Sequence, residues 1–218
     1  MLGLAVSAGN VLKAFFKTAR LHLMDKWCEI TTRVLKHRLI LTVVAHMRAR
    51  QSKEDMQNEC VFSSDRRYRF LLKHNCSPLF EPKFCTWIGA NPSFAAETEL
   101  DPTLTRIRAF SLAWGYNGFI MANVFALVST DPKGLFAVED PVGPENDRFI
   151  LEAIQQTKVV IAAWGVIGRY QNRCEAVWNM IAEFRPLCLR ETKEGFPGHP
   201  LYVPTETQPV RYQPLSRR

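Results

Sequence analysis

The stretch Phe84-Cys85-Thr86-Trp87-Ile88-Gly89-Ala90-Asn91-Pro92-Ser93 decides the fold: a short apolar run that ends abruptly in a Gly/Asn/Pro turn. A helical pattern opens soon after at Asp101-Pro102-Thr103 and spreads Leu104, Ile107, Phe110, Leu112 and Trp114 along its length. Gly115-Tyr116-Asn117-Gly118 is a turn, and Phe119 to Val124 is a second apolar run. Asp131-Pro132 and Gly143-Pro144-Glu145-Asn146-Asp147 are helix starts, with proline where its missing N–H costs nothing. The face of the second of these helices is marked by Phe149, Ile150, Ala153 and Ile154. Val159 to Ala163 is a third run, ending in Trp164-Gly165; residues 169–183 form a further helix with Val177, Met180 and Ile181 inward; Leu187 to Leu189 is a fourth run. Upstream, Tyr68 to Lys73 alternates like a strand. Continuous apolar runs separated by helices predict an α/β fold with a mainly parallel sheet and helices on both faces.

In such sheets ligands bind beyond the carboxyl ends of the strands. The first run delivers Asn91-Pro92-Ser93, the second Asn123, the third Trp164-Gly165, and the fourth is followed by the loop Gly198-His199-Pro200. All four therefore face one crevice. Each also has a plainer reading: Asn91 bonding its own backbone in a turn, Asn123 satisfying a loop, Trp164 as core, and Asp101, Asp131, Asp140 and Asp147 as helix caps. His199 is the only histidine after His74. A Walker loop, a Gly-x-Gly-x-x-Gly turn and a Gly-x-Ser-x-Gly elbow are absent from the sequence. Neutral amides and one histidine suit orienting water, hydrogen-bonding a planar heterocycle and stabilising a developing anion.

The composition narrows the class. The 218 residues are 47% hydrophobic and 22% charged, as in a globular protein of one domain with an extension. No apolar run reaches the ~18 residues of a membrane span, and no basic residue precedes the short apolar stretch at the amino terminus, which argues against a secretory signal. Residues 1–59 hold 10 basic and 5 acidic side chains, residues 60–218 hold 18 and 16, so most of the net charge of +7 sits in the first quarter. That quarter reads as basic helices (Val11, Leu12, Phe15, Phe16, Ala19, Leu23) followed by a polar linker over residues 51–58. It is either a partner or membrane-surface helix or a segment packed on the domain. The six scattered cysteines include no Cys-x-x-Cys pair and fit no zinc spacing, so reduced thiols, a cytoplasmic location and no metal or cofactor are expected.

From Tyr68 to Tyr212 the chain resembles the domain-of-unknown-function family 1643 of bacteria and their phages. The stretches that carry the resemblance are Gly89–Ser93, Asp101–Thr103, Trp114–Tyr116, Asn123–Ala126, Thr130–Pro132, Asp140–Asp147, Ala163–Gly165 and His199–Leu201. More distantly, the order Asn91-Pro92, Asn123, Trp164-Gly165, His199-Pro200 resembles the uracil-DNA glycosylase superfamily. That resemblance implies a three-layer α/β/α fold and an N-glycosidase-like hydrolase acting on a base in nucleic acid or on a nucleoside or nucleotide.

It also implies roles. Asn91 would orient the attacking water and His199 would hydrogen-bond the departing base. Asn123 would read the base edge, with Gly89, Ala90, Pro92, Ser93, Trp164 and Gly165 around it. Phe94 would stack on the base or sit in the core. Leu201-Tyr202-Val203-Pro204 departs from the serine-rich DNA-pinching loop of the glycosylases, and the near-neutral domain does not favour tight duplex binding. A free nucleoside, a modified nucleotide or an RNA end would suit a neutral amide pocket. The alternative is a non-catalytic module that binds a nucleobase or nucleic acid.

Overall fold

A computed structural model describes residues 58–77, 80–94 and 99–214. The basic helices expected over residues 1–59 lie outside these, except that Asn58 and Glu59 already belong to the first strand. The polar linker expected over residues 51–58 likewise lies outside them, apart from Asn58. Seven strands follow in the sequence: β1 (Asn58–Phe62), β2 (Arg69–Asn75), β3 (Phe84–Gly89), β4 (Gly118–Asn123), β5 (Val160–Ala162), β6 (Leu187–Cys188) and β7 (Val210–Arg211). Among the described residues three α-helices join them: α1 (Pro102–Ala113), α2 (Asn146–Thr157) and α3 (Arg173–Ile181).

The strands form one sheet in the order β1-β2-β4-β3-β5-β6-β7. The pairs β3/β4, β3/β5 and β5/β6 are parallel. The pairs β1/β2, β2/β4 and β6/β7 are antiparallel. The fold is thus α/β, as expected, but the sheet is mixed rather than mainly parallel. The reason lies in the connections. Only residues 76–83 separate β2 from β3, whereas a parallel crossover needs roughly a dozen residues or more. The chain therefore reverses, and β2 runs against β4.

Both faces of the central strands are covered. On β3, Cys85 and Trp87 pack with Leu104, Ile107 and Phe110 of α1. Ile88 packs with Phe149, Ile150, Ala153 and Ile154 of α2 and with Val177 and Ile181 of α3. The polar side chains of β3 have partners. Trp87 Nε1 donates to Ser111 Oγ at 3.1 Å, and Thr86 Oγ1 donates to the Ala153 carbonyl at 2.9 Å.

The helix starts follow local chemistry. Asp101 accepts the Leu104 N–H at 2.8 Å, and Pro102 follows it in the first turn of α1. Asp131 accepts the Lys133 N–H, but the segment it opens is a 3-10 turn, Pro132–Ala137. Asp140 accepts the N–H groups of Val142 and Gly143 in the turn before α2. Asp147 is not a cap: it pairs with Arg173. The helix expected over residues 169–183 is confined to Arg173–Ile181. Gln171 and Asn172 adopt φ of 50° and 54°, which breaks it from the preceding 3-10 turn Gly165–Asn172. Among the described residues, no helix is long and apolar enough to cross a membrane.

Candidate functional site

The four parallel strands end at one edge of the sheet, and a cleft of about 470 Å³ opens there. This is within the ~300–1,000 Å³ range of small-molecule sites. Eight of the residues singled out in the sequence line it: Gly89, Ala90, Asn91 and Ser93 after β3, Asn123 at the end of β4, Trp164 and Gly165 after β5, and His199 in the loop after β6. Pro92 and Phe94 do not. Pro92 is buried and its carbonyl accepts the Ser129 N–H, while the Phe94 ring is 71% exposed outside the wall.

Asn91 is held by its amide nitrogen. Nδ2 donates to the Ser129 carbonyl at 2.7 Å and to the Pro92 carbonyl at 3.2 Å. Both partners are acceptors only, so the NH₂ end must face them and Oδ1 is the end left over. The turn reading of Asn91 is thus correct for one half of the amide, and the other half accepts no hydrogen bond from a described residue.

Asn123 is 2% exposed, and its Oδ1 has no hydrogen-bond partner among the described residues. Its backbone is clamped from behind. Asn146 Nδ2 donates to the carbonyls of Asn123 (3.0 Å) and Val124 (3.2 Å), and Arg173 Nε donates to the Val124 carbonyl at 2.7 Å. Arg173 is itself nearly buried and anchored by Asp147. Gly89 leaves room for the amide, because a Cβ there would stand 2.9 Å from Asn123 Oδ1 and 2.3 Å from Met121 Cε.

His199 caps the short 3-10 turn Pro200–Tyr202, its Nδ1 accepting the Leu201 N–H at 3.4 Å. With Nδ1 as acceptor, the neutral ring carries its proton on Nε2. Burial lowers its pKa, partly opposed by the Asp101 carboxylate. Asp101 does more than cap α1, because its Oδ2 also accepts the Ser93 hydroxyl at 2.6 Å. The Trp164 indole belongs to the core, edge-on to Tyr212 at 5.8 Å, and its Nε1 lies buried without a partner among the described residues. Gly165 has φ of 65° with open space where a Cβ would stand. A side chain there would be strained.

Sequence reasoning missed Arg69. It is 3% exposed, lines the cleft, and donates from Nη1 to the Ser93 carbonyl at 3.1 Å. A parallel β2 would begin at the far edge of the sheet. Because β2 runs against β4, its first residue stands where β4 ends. The wall is completed by Val166 and Ile167, which had no earlier signal, and by Leu201 and Tyr202, which the sequence marked as a departure from the glycosylase loop.

The model of a family described as "Protein of unknown function (DUF1643)" matches residues 69–201. The chain belongs to the DUF1643 family. No curated protein and no solved structure matches the chain. The DUF1643 match begins at Arg69 and ends at Leu201, so it contains the whole cleft wall except Tyr202.

Proposed function

We propose that the DUF1643 cleft binds a nucleobase and hydrolyses its bond to the sugar. The observation that carries the reading is Asn123: a buried amide in the cleft wall, with an unpaired oxygen and a backbone fixed by Asn146 and Arg173. Leaving such an atom bare costs roughly 1–3 kcal/mol, which a ligand N–H would recover. The order of motifs supports a likeness to the uracil-DNA glycosylase superfamily, and the apolar clusters on both faces of the sheet support its three-layer arrangement.

In this reading Asn91 Oδ1 accepts a hydrogen from the attacking water and aims it at the sugar C1′. The C1′–N bond breaks and its electron pair leaves with the base. His199 Nε2–H donates to the departing anion, which then takes up a proton. The water gives its own proton to solvent. An amide orients water without deprotonating it, so bond breaking runs ahead of attack. Gly89, Ala90, Ser93, Trp164 and Gly165 shape the pocket, and Phe94, outside the wall, has no part in it. No cofactor is required. The scattered cysteines, read as reduced thiols, support a cytoplasmic setting for this chemistry.

The test is base release, followed by mass spectrometry, from nucleosides, nucleotides and oligonucleotides carrying uracil, mismatched thymine and common modified bases. Release that Asn91→Ala and His199→Ala both lose is expected, with melting curves showing that the variants fold. Saturable binding without release from any substrate would replace the hydrolase with a non-catalytic nucleobase-binding module.

A further inference from the structure

Arg69 is a cation inside the cleft wall that no carboxylate among the described residues pairs with. Its side chain is 3% exposed, and a guanidinium has five N–H donors. Among the described residues only the bond from Nη1 to the Ser93 carbonyl uses one of them, and no described carboxylate forms an ion pair with it. Cys60 and Asp101 are the acids whose fields reach it, but burial pushes the Cys60 thiol pKa up, and both oxygens of Asp101 are engaged, Oδ1 by the Leu104 N–H and Oδ2 by the Ser93 hydroxyl. Arginine is almost never fully buried unless paired, and an unpaired buried charge is costly. Its planar fork matches phosphate or carboxylate.

We infer that the cleft takes a free mononucleotide, with Arg69 holding its phosphate while Asn123 holds its base. This rests on the nucleobase reading of the site and adds the substrate class. Two features of the wall favour a mononucleotide over a duplex. Among the described lining residues Arg69 is the one Lys or Arg, and it is recessed rather than at the rim. The wall instead carries Val166, Leu201 and Tyr202, which are 51%, 39% and 72% exposed. A protein that grips duplex DNA relies on basic side chains reaching several backbone phosphates. One recessed guanidinium serves a single anionic group small enough to enter.

The experiment is calorimetric titration of the full chain with 2′-deoxyuridine, its 5′-monophosphate, orotate, and a 12-base-pair duplex containing one uracil. Each is repeated for Arg69→Gln and Arg69→Lys. Losing one partner of a buried charge pair corresponds to at least ~30-fold in affinity. The wild type is therefore expected to prefer the monophosphate over the nucleoside by that factor or more, and Arg69→Gln to abolish the preference. Arg69→Lys, which keeps the charge but not the fork, should retain part of it. Equal affinity of the wild type for nucleoside and monophosphate overturns the assignment whether or not the variants fold. So does tighter binding of the duplex, or Arg69-dependent binding of orotate in place of the monophosphate. Monophosphate binding without base release would keep the anion site and overturn the hydrolase. Base release from nucleosides with no phosphate preference would do the reverse.

Discussion

Replacing Arg173 by Met tests what holds the end of β4 in place. The Arg173 side chain is 5% exposed and does two things: Nε donates to the Val124 carbonyl at 2.7 Å, and Nη2 pairs with Asp147, whose own side chain is 55% exposed. The two should contribute unequally. A charge-assisted bond to a buried carbonyl contributes about 1.5–3 kcal/mol. An ion pair whose acid stays in water contributes about 0–1 kcal/mol. Methionine fills most of the vacated stem, so cavity formation adds little. Arg173→Met should therefore lower stability by about 2–3 kcal/mol, or roughly 5–10 °C in Tm for a domain of this size, while Asp147→Asn costs under about 1 kcal/mol. The Val124 carbonyl is shared with Asn146 Nδ2. Arg173→Met and Asn146→Ala together should then be worse than additive by about 1–2 kcal/mol, because only the double variant leaves that carbonyl bare. Urea unfolding of the wild type, the three single variants and the double variant, followed by tryptophan fluorescence, measures all three quantities. Equal losses from Asp147→Asn and Arg173→Met would show that the ion pair does the holding. Strict additivity would show that the carbonyl is not the shared element.

Other consequences are accessible to simpler assays. Gly89→Ala puts a methyl group against Met121 Cε and Asn123 Oδ1; because the methionine tip can yield, stability should fall by about 1–2 kcal/mol, yet ligand affinity should fall at least ~10-fold as the amide shifts, and unchanged affinity by calorimetry would contradict the placement of Asn123. His74 is buried with Nδ1 2.8 Å from Asn58 Oδ1, and desolvation, helped by the Arg108 charge, lowers its pKa to about 4. Its folded pKa lies below its unfolded one, so the unfolded chain binds the extra proton, and stability should fall as pH drops from about 6.5 to 4, by up to about 3 kcal/mol. His199 shifts in the same direction. Urea midpoints measured for wild type and His74→Leu should show a flatter acid limb in the variant; parallel limbs would exclude His74 as the source. Cys85 is fully buried and burial raises its thiol pKa to about 11, so a thiol reagent at pH 8 should modify the partly exposed Cys60, Cys76 and Cys174 before Cys85, as peptide mass mapping would reveal.

What was legible in the sequence was whatever depends on near neighbours. Asp101-Pro102 announces α1 because cap and proline act within one turn. The runs at 84–88, 119–124 and 159–163 announce β3, β4 and β5 because a strand buried on both faces has no charged position to interrupt it. The rule that ligands sit at strand carboxyl ends then gathered Asn91, Asn123, Trp164 and His199 at one edge. Strand direction is not a local property, and Arg69 was lost with it. On a parallel β2 it would be a remote surface residue, and the antiparallel pairing with β4 brings it into the cleft. Asn146 looked like part of a helix start, yet its amide reaches back to the carbonyls of Asn123 and Val124. β7 has two residues, with Val210 51% exposed, so it offers no burial pattern to read. The start of α3 moved to Arg173 because Gln171 and Asn172 adopt positive φ without a glycine to signal it.

The most direct measurement is a crystal structure of the Asn91→Ala variant, which should bind without cleaving, soaked with 2′-deoxyuridine 5′-monophosphate. Density in the cleft is predicted, with the base edge within about 3.2 Å of the Asn123 amide and the phosphate on the Arg69 guanidinium. Nucleotide bound elsewhere on the molecule, or a cleft that stays empty at saturating ligand, would contradict the account.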